Sequence, residues 1–443
     1  METTQKTGKF KNSISLKLVL IVLLSLLLLI PTIFIKKLID ERQGRRNEAI
    51  IEVTSKWGQP QTLFAPVIMV PYEKYEKTSA NTFVTRKYYM HILPDSLEIT
   101  GTVSPEVRKR GIYKVTLYSA DMNLNATFGK DIFTDWPEIP DKILWQEAIL
   151  TVGVSDLKGL GEISKIEWNH KNMDVEGGIP FPGDVSTGFY VPVFIYPDKE
   201  NEFHLHFTLK GSESLNFIPA GKSTRVNLSS DWTSPSFTGS TLPDKHKVSD
   251  KGFDAEWNVL HITRPFPQKW SNISYSYQIA ESGFGVNFFI PVDIYQKTTR
   301  SVKYALLFIG LTFLAIFFIE VMSKKRIHAI QYLLTGAALV IFYSLLLSIS
   351  EQLPFGWAYL IASVGILALI ASHIHALFKK RSYTLVTLGI LAALYGFLFA
   401  ILHISDLALL LGNIGLFIIL AIVMFFSRKI DWYNGNGSHN TDE

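Results

Sequence analysis

Apolar residues gather into five long runs in the second half of the chain, with short polar linkers between them. The runs are Lys303–Met322, Ala329–Ile349, Phe355–Phe378, Tyr383–His403 and Leu407–Phe426. Each has about the 20 residues that an α-helix needs to cross a hydrocarbon layer. Linkers this short fit helical hairpins, because a backbone inside lipid must satisfy its own hydrogen bonds. We predict a bundle of five antiparallel transmembrane helices over residues 303–426.

A sixth apolar run, Leu18–Ile35, follows four lysines near the N-terminus. It is longer than the apolar part of a signal peptide, contains Pro31, and continues into Lys36 without a small-residue cleavage site. The run therefore predicts an uncleaved transmembrane anchor, so we expect six transmembrane helices in all. From Lys36 to Glu52 the sequence is charged, with apolar positions at helical spacing, which predicts a short helical stalk.

The hydrophobic pattern changes between residues 57 and 300. Short runs of alternating aromatic and β-branched residues, such as Phe189–Ile195 and Glu202–Leu209, stand between turn residues, and 17 of the 19 prolines fall here. This alternation is typical of β-strands, and the prolines argue against long helices. We predict a large, mainly antiparallel, sandwich-like β domain over residues 36–302. A division into two β subdomains near residues 177–188 is an alternative.

Basic residues occupy alternate linkers of the bundle and so predict its orientation. Residues 324–326 and 379–381 are all basic, and Arg428 follows the last run, whereas the other two linkers carry Glu351 and Asp406 as their charges. Lysine and arginine mark cytoplasmic loops, so both termini are expected in the cytoplasm and the β domain outside it. The predicted order is a cytoplasmic N-terminus (1–17), an anchor (18–35), the outer β domain (36–302), the bundle (303–426) and a cytoplasmic tail (427–443).

Composition narrows the class of protein further. The chain has 443 residues, 48% of them hydrophobic, and a formal net charge of +4, which is typical neither of a disordered chain nor of a nucleic-acid binder. It contains no cysteine, which excludes disulfides, thiolate metal sites and a cysteine nucleophile.

Candidate chemistry in the β domain is sparse. His204 and His206 lie two apart on a predicted strand and so face the same way, but no third metal ligand is identifiable, and a surface pair is the simpler interpretation. No serine-nucleophile, zinc-protease or phosphate-loop motif is present. We predict no enzyme activity, no cofactor and no metal. Tryptophans outside the bundle could stack on carbohydrate, but core packing is favoured for all of them: Trp57, Trp136, Trp145, Trp168, Trp232, Trp257 and Trp270.

Three carboxylates near the ends of membrane helices are the candidate functional or coupling residues. Glu320 precedes Lys324 by four residues, which predicts an ion pair at the cytoplasmic interface. Glu351 and Asp406 each follow an Ile-Ser pair in the outer linkers. They are expected either to cap the helices that follow them or to dock the β domain on the bundle.

Short motifs along the whole chain resemble those of the CreD family of bacterial inner-membrane proteins. They are Leu26–Pro31, Arg110–Tyr113, Pro235–Phe237, Lys303–Phe313 with Glu320, Gln331–Leu334, Phe342–Glu351, Leu409–Gly412 and Ile430–Tyr433. The resemblance implies a cytoplasmic-membrane protein with a large periplasmic domain. It also implies a link to envelope integrity, colicin tolerance and the response to cell-wall or β-lactam stress under a two-component system. It implies no established reaction and no catalytic residues.

Two functions follow from these observations. In the first, the protein lies in the lipid bilayer, and its periplasmic β domain binds a periplasmic protein, a lipid or a cell-wall component. In the second, the helical bundle transports a substrate or handles lipid. Intramembrane charges are few and no helix of the bundle is broken by Gly or Pro, and these features favour the first function.

Overall fold

The computed structural model describes residues 14–77, 82–134, 136–180, 184, 187–271, 273–288, 294–323, 325–403 and 408–428. The chain divides into two compact units. The helical unit contains the chain up to Arg45 and from Val292 onward, and the β unit is Arg46–Pro291.

Nine α-helices are present in the described part of the chain. They are α1 (Ile14–Leu27), α2 (Leu29–Trp57), α3 (Ser276–Glu281), α4 (Ile294–Lys303), α5 (Ala305–Ser323), α6 (Ala329–Ser350), α7 (Phe355–Phe378), α8 (Arg381–His403) and α9 (Ala408–Ser427). The interruption between α1 and α2 lies at Leu28, three residues before Pro31, whose nitrogen cannot donate to the carbonyl of Leu27. The helical stalk predicted over residues 36–52 is confirmed, because these residues lie within α2.

Five helical segments are long and apolar enough to cross a membrane. They are the N-terminal run Leu16–Trp57 and the helices α5, α6, α7 and α8. The first five of the six predicted transmembrane helices are thus confirmed in length and composition. The apolar stretch of α9, Leu410–Ile422, is shorter than a full span, so the sixth stays a prediction.

Aromatic side chains fill the centre of the helical unit. The ring of Phe342 on α6 packs 4.8 Å from that of Tyr395 on α8 and 5.5 Å from that of Tyr359 on α7. The hydroxyl of Tyr359 donates to the Tyr395 carbonyl at 2.7 Å, so a polar group inside the bundle has its partner on a neighbouring helix.

The N-terminal anchor packs closely on α6 at a glycine. A Cβ on Gly336 would lie 2.1 Å from Cδ1 of Leu28 and 2.8 Å from the ring of Phe313. The lack of a side chain at residue 336 therefore sets how closely the anchor approaches the bundle.

The β unit contains eighteen strands in its described residues. They are β1 (Gln61–Lys77), β2 (Phe83–Ile92), β3 (Ser96–Arg110), β4 (Tyr113–Phe128), β5 (Lys142–Ile143), β6 (Ile149–Val154), β7 (Leu160–Trp168), β8 (Lys171–Asn172), β9 (Glu176–Gly177), β10 (Gly188–Pro192), β11 (Asn201–Ser212), β12 (Ser214–Phe217), β13 (Ser223–Ser230), β14 (Pro235–Gly239), β15 (Lys245–Ser249), β16 (Gly252–Leu260), β17 (Lys269–Trp270) and β18 (Phe284–Phe288).

These strands form two mainly antiparallel sheets, as the alternating pattern predicts. The ten-stranded sheet has the order β14-β18-β12-β1-β6-β10-β9, with β2, β5 and β17 attached beside this path. The eight-stranded sheet has the order β15-β16-β13-β3-β4-β11-β7-β8. The pairs β1–β12 and β3–β13 are parallel. The strands β4 and β11, which lie on either side of residues 177–188 in the sequence, pair with each other, and the β domain is one compact unit. The alternative of two subdomains is therefore wrong.

Both sheets contribute to one hydrophobic core. Trp257 of the eight-stranded sheet packs with its ring 5.9 Å from that of Phe284 in the ten-stranded sheet. Trp168, Trp257 and Trp270 are buried, and the prediction of core tryptophans is confirmed for them. Full burial of such a side chain contributes about 1.5–3 kcal/mol, so one extensive core can hold the unit together without disulfides.

Candidate functional site

Glu320, in the last turn of α5, lies in a buried polar cluster of the helical unit. One of its carboxylate oxygens accepts from the ammonium of Lys17 on α1 and from the backbone N–H of Ile327 at 2.8 Å. The other accepts from the hydroxyl of Tyr332 on α6 at 2.8 Å. Lys17 also donates to the carbonyl of Ile327 at 3.0 Å. The predicted partner, Lys324, lies outside the described residues, and the ion pair observed is with Lys17.

The cluster around Glu320 connects three helices by charge-assisted hydrogen bonds. The carboxylate side chain is 8% exposed, so its charge requires the cation and the two donors that surround it. Removing one partner from such a buried pair costs about 3–5 kcal/mol, because the other charge stays buried without compensation. Glu320 therefore fixes the beginning of α1 against the adjacent ends of α5 and α6.

Glu351, the C-cap residue of α6, forms a second cluster at the opposite end of that helix. Its Oε2 lies 3.8 Å from Nη1 of Arg42 on α2, and its Oε1 accepts from the hydroxyl of Tyr295 on α4 at 3.3 Å. The side chain is 9% exposed. Along the chain, α2 leads into the β unit and α4 leads out of it. One carboxylate thus binds both helices through which the β unit is connected.

The structure corrects the sequence-based expectation that Glu351 caps the following helix. The N-cap residue of α7 is Pro354, and no side-chain hydrogen bond closes that end. Glu351 adopts helical backbone angles at the end of α6, which directs its side chain to Arg42 and Tyr295 instead. Asp406, the third candidate, lies outside the described residues.

His204 and His206 lie on the same face of β11, as their spacing predicts. Nε2 of His206 lies 2.7 Å from a carboxylate oxygen of Asp121, and its Nδ1 lies 2.7 Å from the hydroxyl of Ser164. Nδ1 of His204 contacts the side-chain oxygen of Asn125. Burial lowers the pKa of His204. Side chains of the neighbouring strands thus bind both imidazoles, which agrees with the interpretation of His204 and His206 as a surface pair.

These histidines belong to a polar face that extends across the eight-stranded sheet. Strand registers place one side chain from each of five adjacent strands in a row across the sheet, namely Glu256, Asn227, Thr100, Asn123 and His206. The next row, two residues further along each strand, is Asp254, Ser229, Thr102, Asp121 and Thr208. The alternate residues of the same strands are buried in the core, as Leu124, Phe207 and Val226 show.

Part of this face is concave, and we call that part the polar trough. It has a volume of about 560 Å³. Its floor, on the interior strands β3, β4 and β13, consists of five short side chains that carry hydroxyls or amides, namely Thr100, Thr102, Asn123, Asn227 and Ser229, and of the carboxylate of Asp121. Residues of β15 and β16 line one side, among them the charged side chains Lys245, Lys247, Asp254 and Glu256. The trough is thus a cavity whose floor can donate and accept hydrogen bonds at several points.

A further buried cluster lies where β2 meets β17. The imidazole of His91 is 6% exposed and stacks on the indole of Trp270 with ring centroids 5.0 Å apart. Burial lowers the pKa of His91. Nearby, Asp184 accepts from the Trp270 indole N–H at 2.8 Å and from the backbone N–H of Tyr275 at 3.0 Å. Burial alone would raise the pKa of Asp184, but hydrogen bonds from Ser274 and its neighbours hold that pKa below its usual value.

Sequence reasoning identified the carboxylates but missed their partners. The sequence did indicate Lys17 as a possible partner, because this lysine directly precedes the apolar run of the anchor. Nothing in the sequence distinguishes Arg42 and Tyr295 from the other charged and aromatic residues of their helices. The polar trough was also missed. The sequence feature that underlies the trough is the repeated placement of Thr, Asn and Ser at every second position of β3, β4 and β13. This pattern indicates a solvated sheet face, but it does not show which strands are neighbours.

Comparison with known proteins places this architecture among inner membrane proteins. A family model described as inner membrane protein CreD matches residues 13–433. The inner membrane protein CreD of Escherichia coli (strain K12) is 33% identical over 416 residues, covering 92% of this chain and 91% of that protein.

Solved structures show a much weaker likeness. An M1 zinc metallopeptidase from Deinococcus radiodurans aligns with a TM-score of 0.21 and 11% identity, over 44% of this chain and 42% of its own. A mutant of the same enzyme aligns with a TM-score of 0.22 and 10% identity over the same shares. Values this low carry no argument about fold or activity.

Proposed function

Since the chain belongs to the CreD family of inner membrane proteins, we propose that it supports the cell envelope by presenting the β unit as a periplasmic binding domain. The bundle anchors this domain in the cytoplasmic membrane and holds the helices that lead to it. In this proposal the protein acts without catalysis, in the envelope and β-lactam stress response and in colicin tolerance.

The observation that carries this proposal is the polar trough of the β unit. A folded sheet face with a volume of about 560 Å³ and several hydrogen-bonding side chains offers a place for a ligand. The side chains at its floor are held by strands whose other face is buried, so the site is preorganised and binding costs little ordering entropy.

The two carboxylate clusters of the helical unit support an anchoring role for the bundle. Lys17 and Arg42 of the N-terminal helices pair with Glu320 and Glu351 and so compensate these buried negative charges of the bundle. Transport sites in membranes usually use ionisable groups that face a substrate path. Here the two carboxylates fix helices, and Glu351 couples α2 and α4 to α6.

The orientation within the proposal rests on the linker charges. Lys17 and the basic linker after α5 lie at one end of the helical unit, because the Glu320 cluster joins the beginning of α1 to the end of α5. Positive residues favour the cytoplasm for that end. The opposite end of the helical unit, where α2 leads into the β unit, then faces the periplasm.

A complementation experiment tests the proposed function. In a strain that lacks the gene, the full chain should restore resistance to β-lactams and detergent. A variant with residues 46–291 replaced by a flexible linker should fail, although immunoblots show it at parental levels in the membrane. Full restoration by the bundle alone would overturn the binding role and favour a transport or lipid-handling function.

A further inference from the structure

The polar trough has a composition that restricts which ligands it can bind. Hydroxyl and amide groups form its floor, and these groups act both as donors and as acceptors. A lipid chain would leave the hydroxyl and amide groups of this floor buried without hydrogen-bond partners. The chemistry of the floor matches a ligand that is rich in hydroxyl and amide groups.

Two of the carboxylates that line the trough contact a basic side chain. Nζ of Lys245 lies 3.3 Å from Oε2 of Glu256, and Asp121 pairs with Nε2 of His206 at 2.7 Å. Three carboxylates and two lysines line the trough as a whole. A phosphate or another strong anion would meet three carboxylates, which outnumber the two lysines, so charge complementarity favours a neutral ligand over an anion.

The position of the trough within the sheet argues against an extended peptide. Peptides that add to a sheet pair with the free backbone groups of an edge strand. The floor residues lie on β3, β4 and β13, which are interior strands with neighbours on both sides. A ligand on these three strands is therefore bound by side chains, whereas β15, which lines one side of the trough, is an edge strand.

The spacing of the floor side chains suits a chain of sugar rings. Neighbouring strands of a sheet lie about 4.8 Å apart, so Asn227, Thr100 and Asn123 offer hydrogen-bonding groups at regular intervals across the sheet. One ring of a linear oligosaccharide spans a similar distance. An asparagine amide can also both donate to and accept from an acetamido substituent.

From these observations we propose that the polar trough binds a neutral oligosaccharide that carries hydroxyl and acetamido groups. Asn123 and Asn227 bind the amide substituents, and Thr100, Thr102 and Ser229 bind ring hydroxyls. The inference rests on the proposed binding role of the β unit and names the class of ligand. No aromatic ring forms the floor among the described residues, so binding depends on hydrogen bonds, and dissociation constants near the millimolar range are expected.

Ligand-observed NMR on the full-length protein in lipid nanodiscs tests this proposal. The probe is the β-1,4-linked tetramer of N-acetylglucosamine, and cellotetraose serves as a comparison ligand without acetamido groups. The parent protein should give saturation transfer to the acetyl protons of the first tetramer and bind cellotetraose several-fold more weakly. Equal binding of both tetramers would overturn the role of the two asparagines.

Two single variants, Asn123→Leu and Asn227→Leu, keep the approximate side-chain size and remove the hydrogen bonds. Each should weaken binding of the acetamido tetramer about tenfold, which corresponds to about 1.4 kcal/mol, while thermal unfolding shows that at least one variant is folded like the parent. The matched control is Asn172→Leu, an exposed amide at the edge strand β8, which should bind within twofold of the parent. Unchanged binding by a folded trough variant would overturn the assignment.

The same measurement separates this inference from the proposed function. If an acetylated, amidated tetraalanine peptide binds and the sugar tetramer does not, the ligand class is wrong while a binding role for the β unit stands. If the variants bind normally and complementation still requires residues 46–291, the trough is not the site, and the proposed function again stands.

Discussion

Single buried charges have the largest individual effects in the helical unit. Glu320 is compensated by Lys17, Tyr332 and the amide of Ile327, so each partner matters more than an exposed ion pair would. The pair Arg45–Glu41, with both side chains more than half exposed, is the opposite case. Screening by water and the entropy of long side chains leave such surface pairs worth less than about 1 kcal/mol.

Replacing Lys17 by methionine should destabilise the helical unit by about 3 kcal/mol, because the Glu320 carboxylate stays buried without its cation. Thermal unfolding of the full chain in detergent would measure the change. The matched control, Arg45→Met, should lower stability by less than about 1 kcal/mol. Equal effects of the two replacements would contradict the special role of the Glu320 cluster.

His91 predicts a pH dependence in the β unit. Burial lowers its pKa in the folded protein, whereas in the unfolded chain the pKa is about 6.5. Below that value the unfolded chain binds the proton more readily, so stability falls as the pH drops from the unfolded pKa towards the folded pKa. The loss is at most about 1.4 kcal/mol per pH unit in that window. The carboxylate of Asp184 faces His91, and its negative charge partly offsets the lowering of the His91 pKa by burial.

The variant His91→Phe keeps the stacking on Trp270 and removes the titrating group. Between pH 7.5 and 5.5 it should lose about 1 kcal/mol less stability than the parent protein. Denaturant unfolding at several pH values would measure this difference. The same replacement at His170, an exposed ring, should leave the parental pH dependence in place. Identical pH profiles for the parent and His91→Phe would show that His91 does not titrate on unfolding.

At the scale of elements, the packing of the N-terminal anchor on α6 depends on one small residue. Gly336 lies against Leu28 and Phe313, with no room for a Cβ. Gly365 on α7 provides a contrast, since a Cβ there would meet no atom within 4 Å. Close helix approach at small residues is the usual basis of packing inside membranes.

Replacing Gly336 by leucine should therefore separate α1 from α6 and lower the melting temperature by several degrees, an overpacking cost of about 1–3 kcal/mol. The variant Gly365→Leu should melt within about a degree of the parent protein, since its side chain enters open space. Fluorescence or light-scattering melts in one detergent would compare them. A tolerated Gly336→Leu would show that the anchor can shift at little cost.

Glu351 also acts between elements, because its two partners lie on α2 and α4. The variant Glu351→Ala removes both contacts, and the amides of α4 should then exchange about five- to tenfold faster, as expected for the loss of about 1 kcal/mol. Hydrogen exchange with mass spectrometry would detect the change. An alanine at the exposed Glu48 of α2 is the control and should leave α4 unaffected.

A double substitution at Glu351 and Asp406 tests whether both carboxylates couple the helices. If Asp406 shares the coupling role predicted for Glu351, then Glu351→Gln combined with Asp406→Asn should expose α4 to protease and weaken the envelope phenotype together. Unchanged protection and phenotype in the double variant would show that the charges do not couple the helices.

For the whole molecule, the linker charges and the Glu320 cluster predict which side of the membrane each end occupies. The chain has no cysteine, so single cysteines can be introduced as reporters without a background. A cysteine at Ser323 should be shielded from a membrane-impermeant thiol reagent in intact cells, because the basic linker beside it favours the cytoplasm. A cysteine at Gln352 should react. The reverse labelling pattern would invert the topology and remove the periplasmic placement of the β unit.

The sequence alone determined the features that depend on local physics. A helix in lipid satisfies its backbone within one segment, so hydropathy and length identified α5 to α8 and the anchor. Alternation likewise showed which side of each strand faces the core, as with His204 and His206 on β11. The candidate carboxylates Glu320 and Glu351 were recognisable because charge is rare near apolar spans.

Only the tertiary structure decided which residues meet across long stretches of chain. Lys17 and Glu320 are 303 residues apart, and the parallel pairing of β3 with β13 joins strands that no local pattern relates. The polar trough exists because five strands from distant parts of the chain align their hydroxyl, amide and charged side chains in rows. A period of two fixes the face of each strand, but the order and register of strands are set by packing of the whole core.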